Sequence, residues 1–369
     1  MIRNRGAGHW LGILLFSLGV VLLSALPLWS AGQSGIVQER SLPVNPEQEL
    51  VATNGLGVTV GAYIENLHSL SLRQRIFSAE GYYWLDWPRP VQELLDSNKI
   101  KPAEMVELVN VVNSSAAVIE PDTVESVERP DGHFNQLIRF SANFYIPTVN
   151  LRRSPFEELV LPVVLEVKPD AFSRQRSNLI LLPDPNPTNS RLGSYASING
   201  YDIRDVRFIS FNHSYGTDWG LGQENLSFSR LAIAVAMRSD PFSSFVIWIL
   251  PVIIVMLIVL LAPSLDGELG EVRLAIPSTA LLTLIFLQQA YKSEIPSLSY
   301  LTFLDSIYAC SYVTSLLLFI LFVWGSNVYS EAAEEDKASA VIKIDKMDLI
   351  FQRVALAGFI LVGILAWYS

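Results

Sequence analysis

Residues 242–262 read FSSFVIWILPVIIVMLIVLLA and contain no charged side chain. A helix of this length spans the roughly 30 Å of hydrocarbon in a lipid bilayer. Three later runs have a similar length and character, at 274–291, 301–325 and 349–368. The sequence therefore predicts a transmembrane domain at 242–369, with four helices surrounded by the lipid bilayer.

The composition fits a membrane protein and argues against several other classes. Half of the 369 residues are hydrophobic, 17% are charged, and the formal net charge is −10. Because a nucleic-acid-binding protein needs basic patches to displace the counterions of phosphates, no nucleic acid is expected as a partner. The one cysteine, Cys310, excludes an internal disulfide and a zinc site built from several thiolates.

The first residues have the pattern of an export signal. Arg3 and Arg5 precede the apolar run LGILLFSLGVVLLSALPL at 11–28, and small residues follow it. These three parts predict a signal peptide at 1–32. An uncleaved N-terminal anchor is the alternative, because the apolar run is long for a signal.

The lysines of two connections predict the orientation in the membrane. Three lysines lie in 326–348, the connection before the last apolar run, whereas 292–300 contains only Lys292. This excess predicts that 326–348 is a cytoplasmic loop and that the middle region, 33–241, is exported. The arrangement is that of a multi-pass membrane protein with an exported N-terminal domain.

The exported region 33–241 has the pattern of a β-rich domain. Short stretches such as LVLPVVLEV (159–167) and LSFSRLAIAVAM (226–237) are typical of strands, and turn-forming clusters such as PDPNPTNS (183–190) separate them. The stretch 88–112 is the best candidate for a short helix. Many short strands over roughly 200 residues predict a β-sandwich.

Sequence motifs of catalysis are missing. There is no phosphate-binding loop, no nucleophile elbow and no glycine fingerprint before a helix. The histidines are scattered and form no HxxxH or HxxE pair; they are His9, His68, His133 and His213. We therefore expect that the protein is not an enzyme and that it holds no cofactor or resident metal.

One motif lies between two of the predicted strands. The stretch 151–165 reads LRRSPFEELVLPVVL. It resembles the loop between strands six and seven of the prokaryotic pentameric ligand-gated ion channels, which belong to the Cys-loop receptor superfamily but lack its disulfide. Pro155 and Phe156 match the Pro-Phe-Asp-x-Gln of that family, whereas Glu157 replaces Asp and Leu159 replaces Gln.

Further stretches resemble the same family in the same order. WLD (84–86) resembles a Trp-x-Asp on strand two, and GYDI (200–203) resembles a Gly-Trp-Asp-Ile before strand nine. Arg238 and Pro251 correspond to a family arginine that ends strand ten and a family proline in the first membrane helix. EIPSLSYLTFLD (294–305) resembles the linker between the second and third membrane helices.

The resemblance covers about 58–369 and implies both a fold and a function. The implied fold is a membrane protein with an extracellular immunoglobulin-like β-sandwich followed by a four-helix transmembrane bundle. The implied function is that of a ligand-gated ion channel made of five identical subunits. Its periplasmic domain would receive the signal, and permeant ions would cross beside the second membrane helix.

One face of this second helix is not simply apolar. Residues that recur every three or four positions share a face of a helix, and here they read Ala275, Thr279, Leu282, Phe286, Gln289 and Ser293. Counting back from Pro296, the resemblance places this stripe on the pore-lining face. Rings of Leu282 and Phe286 would then exclude water and close the pore. The alternative is that both are ordinary helix-packing residues.

Acidic residues precede the stripe. Glu271 joins the expected pore-lining set, and Asp266 and Glu268 lie close by in a tight loop. A ring of carboxylates attracts cations, so we expect monovalent cations as the permeant ions. Arg273 complicates this expectation, although an arginine at this place in the family usually points away from the pore. Pro277 lies either in a first turn that begins near residue 273 or at a kink in the helix.

Aromatic residues mark a candidate ligand site. The resemblance implies a site between adjacent subunits, formed by Tyr215 and Trp219 of the loop at 212–226, by Phe172, and by Trp84 of the neighbouring subunit. Aromatic faces bind ammonium groups, but this set of rings is incomplete. A small molecule, protons and divalent cations are therefore all candidate modulators. The alternative is that these rings belong to the core.

The resemblance also implies a set of residues that couple the signal to the gate. The set consists of Asp86, Pro155, Phe156, Glu157, Arg238 and Pro296. The three residues at 155–157 are expected to rest on the linker around Pro296, and Arg238 is expected close beneath, paired with Asp86 or Glu157. The alternative for Arg238 is a contact with lipid headgroups.

The alternative function belongs to another class, that of membrane receptors and adaptors. A non-conducting membrane receptor or adaptor would also combine a periplasmic sensor with membrane helices. The predicted cytoplasmic loop at 326–348 is too short for a folded signalling domain, which favours the channel.

Overall fold

The computed structural model describes residues 56–123, 125–168, 179–186, 190–217, 227–266 and 269–368. The predicted signal peptide lies outside these residues. The described chain forms two compact units, one made of 56–149 and 158–238 and the other made of 150–157 and 239–368. The first unit is rich in strands and the second is helical. A β-rich N-terminal region followed by four apolar helices is therefore confirmed.

The strands of the first unit form two sheets. They are β1 (Gly57–Ser71), β2 (Ile76–Trp87), β3 (Val106–Leu108), β4 (Val118–Pro121), β5 (Val127–Glu128), β6 (Phe134–Tyr145), β7 (Glu158–Val167), β8 (Ile180–Pro183), β9 (Arg191–Ala196), β10 (Tyr201–Ser214) and β11 (Ser227–Ser239). One sheet has the order β4-β6-β2-β1-β8, with β5 beside β6 and β9 beside β1, and the other has the order β10-β11-β7-β3. A short helix, α1 (Arg89–Asn98), lies within the stretch predicted to be helical.

Inward-facing residues of both sheets belong to one hydrophobic cluster. Buried and partly exposed residues alternate along β2, as a strand with one face on a core requires. The rings of Phe77 on β2 and Phe144 on β6 stack with centroids 5.5 Å apart. In the other sheet, β7 and β11 are the two inner strands and are buried almost throughout, and Val164, Phe211 and Ala232 form a second, smaller apolar cluster. The apolar stretches that predicted these two strands are thus their core-forming parts.

Four helices of the second unit are long and apolar enough to cross a membrane. They are α2 (Pro241–Ser264), α3 (Gly270–Glu294), α4 (Phe303–Glu331) and α5 (Lys337–Tyr368). Polar caps fix the start of two of them: the Asp240 carboxylate accepts the amide N–H of Ser243 at 3.0 Å, and Thr302 and Asp305 form a capping box before α4. The prediction of four apolar helices long enough to cross a membrane is confirmed, and the chain has the character of a multi-pass membrane protein.

Helical structure extends beyond the apolar runs. Helix α3 begins at Gly270 rather than at 274, and only 332–336 separates α4 from α5, so the connection is shorter than the predicted loop at 326–348. Hydropathy marks where a chain leaves lipid, whereas Ala, Glu and Lys continue to favour a helix in water. Burial of Ala340 and Ile344 adds packing to this preference.

Candidate functional site

All seven residues that the sequence predicts to line a pore are exposed. They are Glu271, Ala275, Thr279, Leu282, Phe286, Gln289 and Ser293. The buried residues of the same helix are Arg273, Pro277, Ala280, Leu284 and Tyr291. At 3.6 residues per turn, the two sets occupy opposite faces of α3. The helix therefore packs against the rest of its chain through one face and leaves the predicted stripe open.

Leu282 and Phe286 are the large apolar residues of this stripe. Their exposed fractions are 55% and 65%, so neither belongs to the core of the helical unit. Polar side chains flank them, with Thr279 on one side and Gln289 on the other. The open face of α3 is thus polar, then apolar, then polar along its length.

The serine and threonine hydroxyls of α3 donate to carbonyls of their own helix. Thr279 Oγ1 donates to the carbonyl of Ala275 at 2.9 Å, and Ser293 Oγ donates to the carbonyl of Ala290 at 2.7 Å. Each hydroxyl keeps its oxygen lone pairs free to accept a hydrogen bond from water or to meet a cation. These hydroxyls therefore present oxygen acceptors to the open side of α3 without leaving an unsatisfied O–H donor.

The other membrane-crossing helices expose a different kind of face. The exposed residues along the middle of α2 and α4, and in the part of α5 that follows the exposed Arg353, are apolar, among them Ile254, Ile258, Val313, Leu316, Leu317, Ile320, Leu361, Ile364 and Leu365. Helix α4 keeps its hydroxyl residues Ser311, Thr314 and Ser315 buried. Such faces suit lipid, whereas the open face of α3 is mixed.

Two opposite charges lie near the start of α3. Glu271 is exposed, whereas Arg273 is buried and its Nη2 lies 2.5 Å from Oδ2 of Asp348 on α5. Residues two apart on a helix are rotated by about 200°, which explains why they lie on opposite faces. Of the neighbouring acids, Asp266 is half-buried and Glu268 lies outside the described residues.

Pro277 is the eighth residue of α3 and is buried. Because the helix begins at Gly270, this proline lies beyond the first turn, and the carbonyl of Arg273 has no N–H to accept from residue 277. The next hydroxyl, that of Ser278, donates back to the carbonyl of Leu274 at 2.7 Å. Proline and back-bonded hydroxyls both favour bending, so α3 bends most easily in this turn.

The segment 150–157 packs within the helical unit. The amide of Leu151 donates to Oη of Tyr300 at 3.0 Å, and the amide of Phe303 donates to the carbonyl of Arg152 at 2.7 Å. These bonds join the segment to the linker between α3 and α4, a few residues after Pro296, which is half-buried. The bonds are made by residues 151 and 152 to Tyr300 and to the first residue of α4, so the expected contact of 155–157 with Pro296 stays a prediction.

Aromatic and backbone contacts hold the three residues at 155–157. The ring of Phe156 lies 6.5 Å from that of Phe303 and 6.3 Å from that of Trp367, between centroids. The hydroxyl of Ser239 donates to the carbonyl of Pro155 at 3.0 Å, and its amide donates to the carbonyl of Glu157 at 3.1 Å. The segment is therefore tied to the starts of α2 and α4 and to the end of α5.

The two remaining coupling residues, Asp86 and Arg238, lie in the first unit. Both carboxylate oxygens of Asp86 have partners, Nη1 of Arg129 at 2.6 Å and Nδ1 of His133 at 2.8 Å. Arg238 faces Glu158 across β11 and β7. Burial, together with the nearby Arg204, lowers the pKa of its guanidinium. The carboxylate of Asp86 therefore contacts Arg129 and His133, neither of which was predicted from the sequence to take part in coupling.

Two of the four predicted ligand-site aromatics, Phe172 and Trp219, lie outside the described residues. Trp84 lies on the first sheet, where its indole N–H donates to Oδ2 of Asp184 at 3.2 Å. Tyr215 follows β10 of the second sheet. The described residues therefore give these two rings separate surroundings.

Tyr215 belongs to a polar cluster that the sequence analysis missed. Its hydroxyl donates to Oε1 of Glu166, whose side chain is fully buried, and Nε of Arg230 donates to the other carboxylate oxygen. The rings of His213 and Phe228 meet that of Tyr215 edge to face, with centroids 4.8 and 6.1 Å away. In the sequence, the one sign of this cluster was an acidic residue, Glu166, within the apolar run of β7.

The surroundings of His213 predict a pH effect. Burial and the positive charge of Arg230 lower its pKa. Because the folded protein holds this ring less protonated than the unfolded chain does, stability falls as the pH drops below the usual histidine pKa of about 6.5. We expect the thermal midpoint of the wild type to fall more than that of His213→Gln between about pH 7.5 and about pH 5.5. Equal falls of the two midpoints would contradict this assignment.

In comparisons with known proteins, the chain matches no family model and no curated protein. The candidate site is therefore defined by its own geometry. The helical unit offers the open stripe of α3 and the segment 150–157, and the strand-rich unit separately offers the Glu166–Arg230–Tyr215 cluster.

Proposed function

We propose that the protein is a homopentameric, cation-selective, ligand-gated ion channel of a bacterial inner membrane, with α3 lining the pore. The observation that carries the proposal is the open, partly polar stripe of α3 opposite its buried face. The resemblance to the prokaryotic pentameric channels supplies the number of subunits, the immunoglobulin-like sandwich and the periplasmic orientation of the strand-rich domain.

A partly polar stripe is unfavourable against lipid. Transfer of an amide or hydroxyl into hydrocarbon without a hydrogen-bond partner costs roughly 2–7 kcal/mol, and the exposed amide of Gln289 is such a group. Five copies around an axis, with α3 innermost, give the stripe a water-filled surface and leave the apolar faces of α4 and α5 to lipid. This arrangement accounts for both kinds of exposed face.

The apolar middle of the stripe is the proposed gate. Five copies each of Leu282 and Phe286 form two adjacent apolar rings. Water leaves a narrow apolar passage, and an ion cannot keep its hydration shell there, so the rings close the pore without a plug.

The proposed selectivity comes from Glu271 at the cytoplasmic mouth. Its carboxylate is exposed beside the stripe, whereas the cation of Arg273 is buried on the other face. A ring of five carboxylates concentrates cations and repels anions.

Coupling is proposed to run through the segment 150–157. The segment is continuous with β6 and β7, and its hydrogen bonds reach the linker before α4. A displacement of the strand ends therefore acts on the linker that follows the pore helix. The modulator, whether a small molecule, a proton or a divalent cation, is proposed to act on the strand-rich domain.

Replacement of Glu271 tests the proposal. We expect the wild type, reconstituted in liposomes under a NaCl gradient, to give currents that reverse near the sodium equilibrium potential. Glu271→Gln removes five charges from the mouth and is expected to lower the sodium-to-chloride permeability ratio about tenfold. Glu294→Gln is the matched control, because this acid is exposed at the other end of α3 and away from the stripe.

Other outcomes would contradict the proposal at different points. An unchanged reversal potential in Glu271→Gln would refute the role of this residue in selectivity. Silence of a confirmed pentamer across pH and divalent-cation concentrations would favour the non-conducting receptor, above all if a partner protein co-purifies.

A further inference from the structure

A buried ion pair joins the start of α3 to α5. Arg273 and Asp348 are 75 residues apart in sequence, and their side chains are 3% and 1% exposed. The guanidinium of Arg273 also lies over the ring of Phe322 on α4, 4.2 Å from its centroid. Three helices thus meet around one cation.

This pair determines on which side of α3 the arginine lies. A buried guanidinium without a counter-ion is costly in a medium of low polarity, so it moves to water if its long side chain can reach it. The open side of the same turn carries Glu271, two residues earlier in the chain. An arginine released to that side would neutralise the carboxylate proposed to attract cations.

We propose that Asp348 is a positioning residue for ion selectivity. It holds the cation of Arg273 inside the bundle and so keeps the Glu271 ring electronegative. This inference rests on the proposed function of α3 as the pore helix. It assigns a role in permeation to a residue of α5, a helix that contributes nothing to the stripe.

Reversal potentials of charge variants test the inference. Asp348→Asn in the full-length pentamer is expected to lower the sodium-to-chloride permeability ratio about fivefold, because five cations approach the mouth. Asp348→Glu keeps the counter-ion and is expected to retain the wild-type ratio. The double variant Arg273→Gln with Asp348→Asn removes the arginine as well. It is expected to restore the wild-type permeability ratio, a result that a merely structural role of Asp348 does not predict.

Two further variants control for charge and for folding. Glu335→Gln removes an exposed acid from the turn before α5 and is expected to leave the reversal potential unchanged. The charge swap, Arg273→Asp with Asp348→Arg, keeps a buried neutral pair and is expected to stay within about twofold of the wild-type ratio. If Asp348→Asn fails to assemble as a pentamer, the charge-swap variant tests the inference in its place.

The outcomes separate this inference from the function on which it rests. If the wild type is cation-selective but Asp348→Asn has the same ratio, or the double variant fails to restore it, the role of Asp348 is refuted and the channel stands. A sodium-to-chloride permeability ratio that changes more than fivefold in the charge-swap variant would also refute the role of Asp348 and leave the channel proposal standing. If the wild type carries no current under any condition, both proposals fall.

Discussion

Leu282→Ala is expected to give a channel that conducts without a modulator, with an open probability at least about tenfold above that of the wild type. The exposed leucine contributes apolar surface to the narrowest part of the proposed pore. Removing one CH₂ group from contact with water is favourable by about 0.8 kcal/mol, so the leucine side chains oppose hydration of the closed ring. Shortening five side chains widens the ring and favours its hydration. A tenfold change needs only about 1.4 kcal/mol. Single-channel recording in liposomes without added modulator measures the effect.

The matched control is a leucine of similar exposure on another helix. Leu317 on α4 is 51% exposed, against 55% for Leu282. Leu317→Ala removes the same atoms from a face proposed to meet lipid, so the open probability should stay near that of the wild type. Equal effects of the two substitutions would refute a specific gate at Leu282.

The second large effect is expected for the Glu166–Arg230–Tyr215 cluster. Arg230→Met leaves the fully buried carboxylate of Glu166 without its guanidinium, because the two residues are direct partners across β7 and β11. Breaking a buried pair in this way costs about 3–5 kcal/mol. For a domain of this size, the thermal midpoint is expected to fall by about 10 °C. Circular dichroism of the purified protein follows the melting of the strands.

Two comparisons distinguish loss of the pair from loss of an arginine. Arg230→Met combined with Glu166→Leu removes both charges and is expected to recover most of the midpoint. Arg207→Met breaks a solvent-exposed pair with Asp205 on the same sheet and is expected to change stability by less than about 1 kcal/mol. A midpoint unchanged by Arg230→Met would show that the cluster contributes nothing to folding.

Local patterns were sufficient to predict several elements of the fold. The four apolar runs, the short helix within 88–112 and the strands at 159–167 and 226–237 each follow from composition and periodicity within a short stretch. The open stripe of α3 was also predictable, because residues three and four apart share a face wherever a helix forms. Helix ends were less predictable, since packing and helix propensity extend α3 and α5 into charged sequence.

Pairings between distant residues were not predictable in this way. Arg273 and Asp348 are separated by 75 residues and Arg230 and Glu166 by 64, and nothing near any one of them indicates its partner. Arg238 was expected to pair with Asp86 or Glu157, whereas Arg129 and His133 occupy both carboxylate oxygens of Asp86. Such pairs depend on which strands and helices become neighbours, and a single sequence does not state this.

The grouping of 150–157 with the helices matters for protein engineering. Although the segment lies between two strands in the sequence, Phe156 is 4% exposed and its ring contacts those of Phe303 and Trp367 in the helical unit. A fragment cut before residue 239 would lack both of these ring partners and leave more of the Phe156 ring exposed to solvent, which promotes aggregation. Replacing Phe156 by a polar residue, or 150–157 by a short glycine–serine stretch, is therefore the rational first step in preparing the strand-rich domain for crystallisation without detergent.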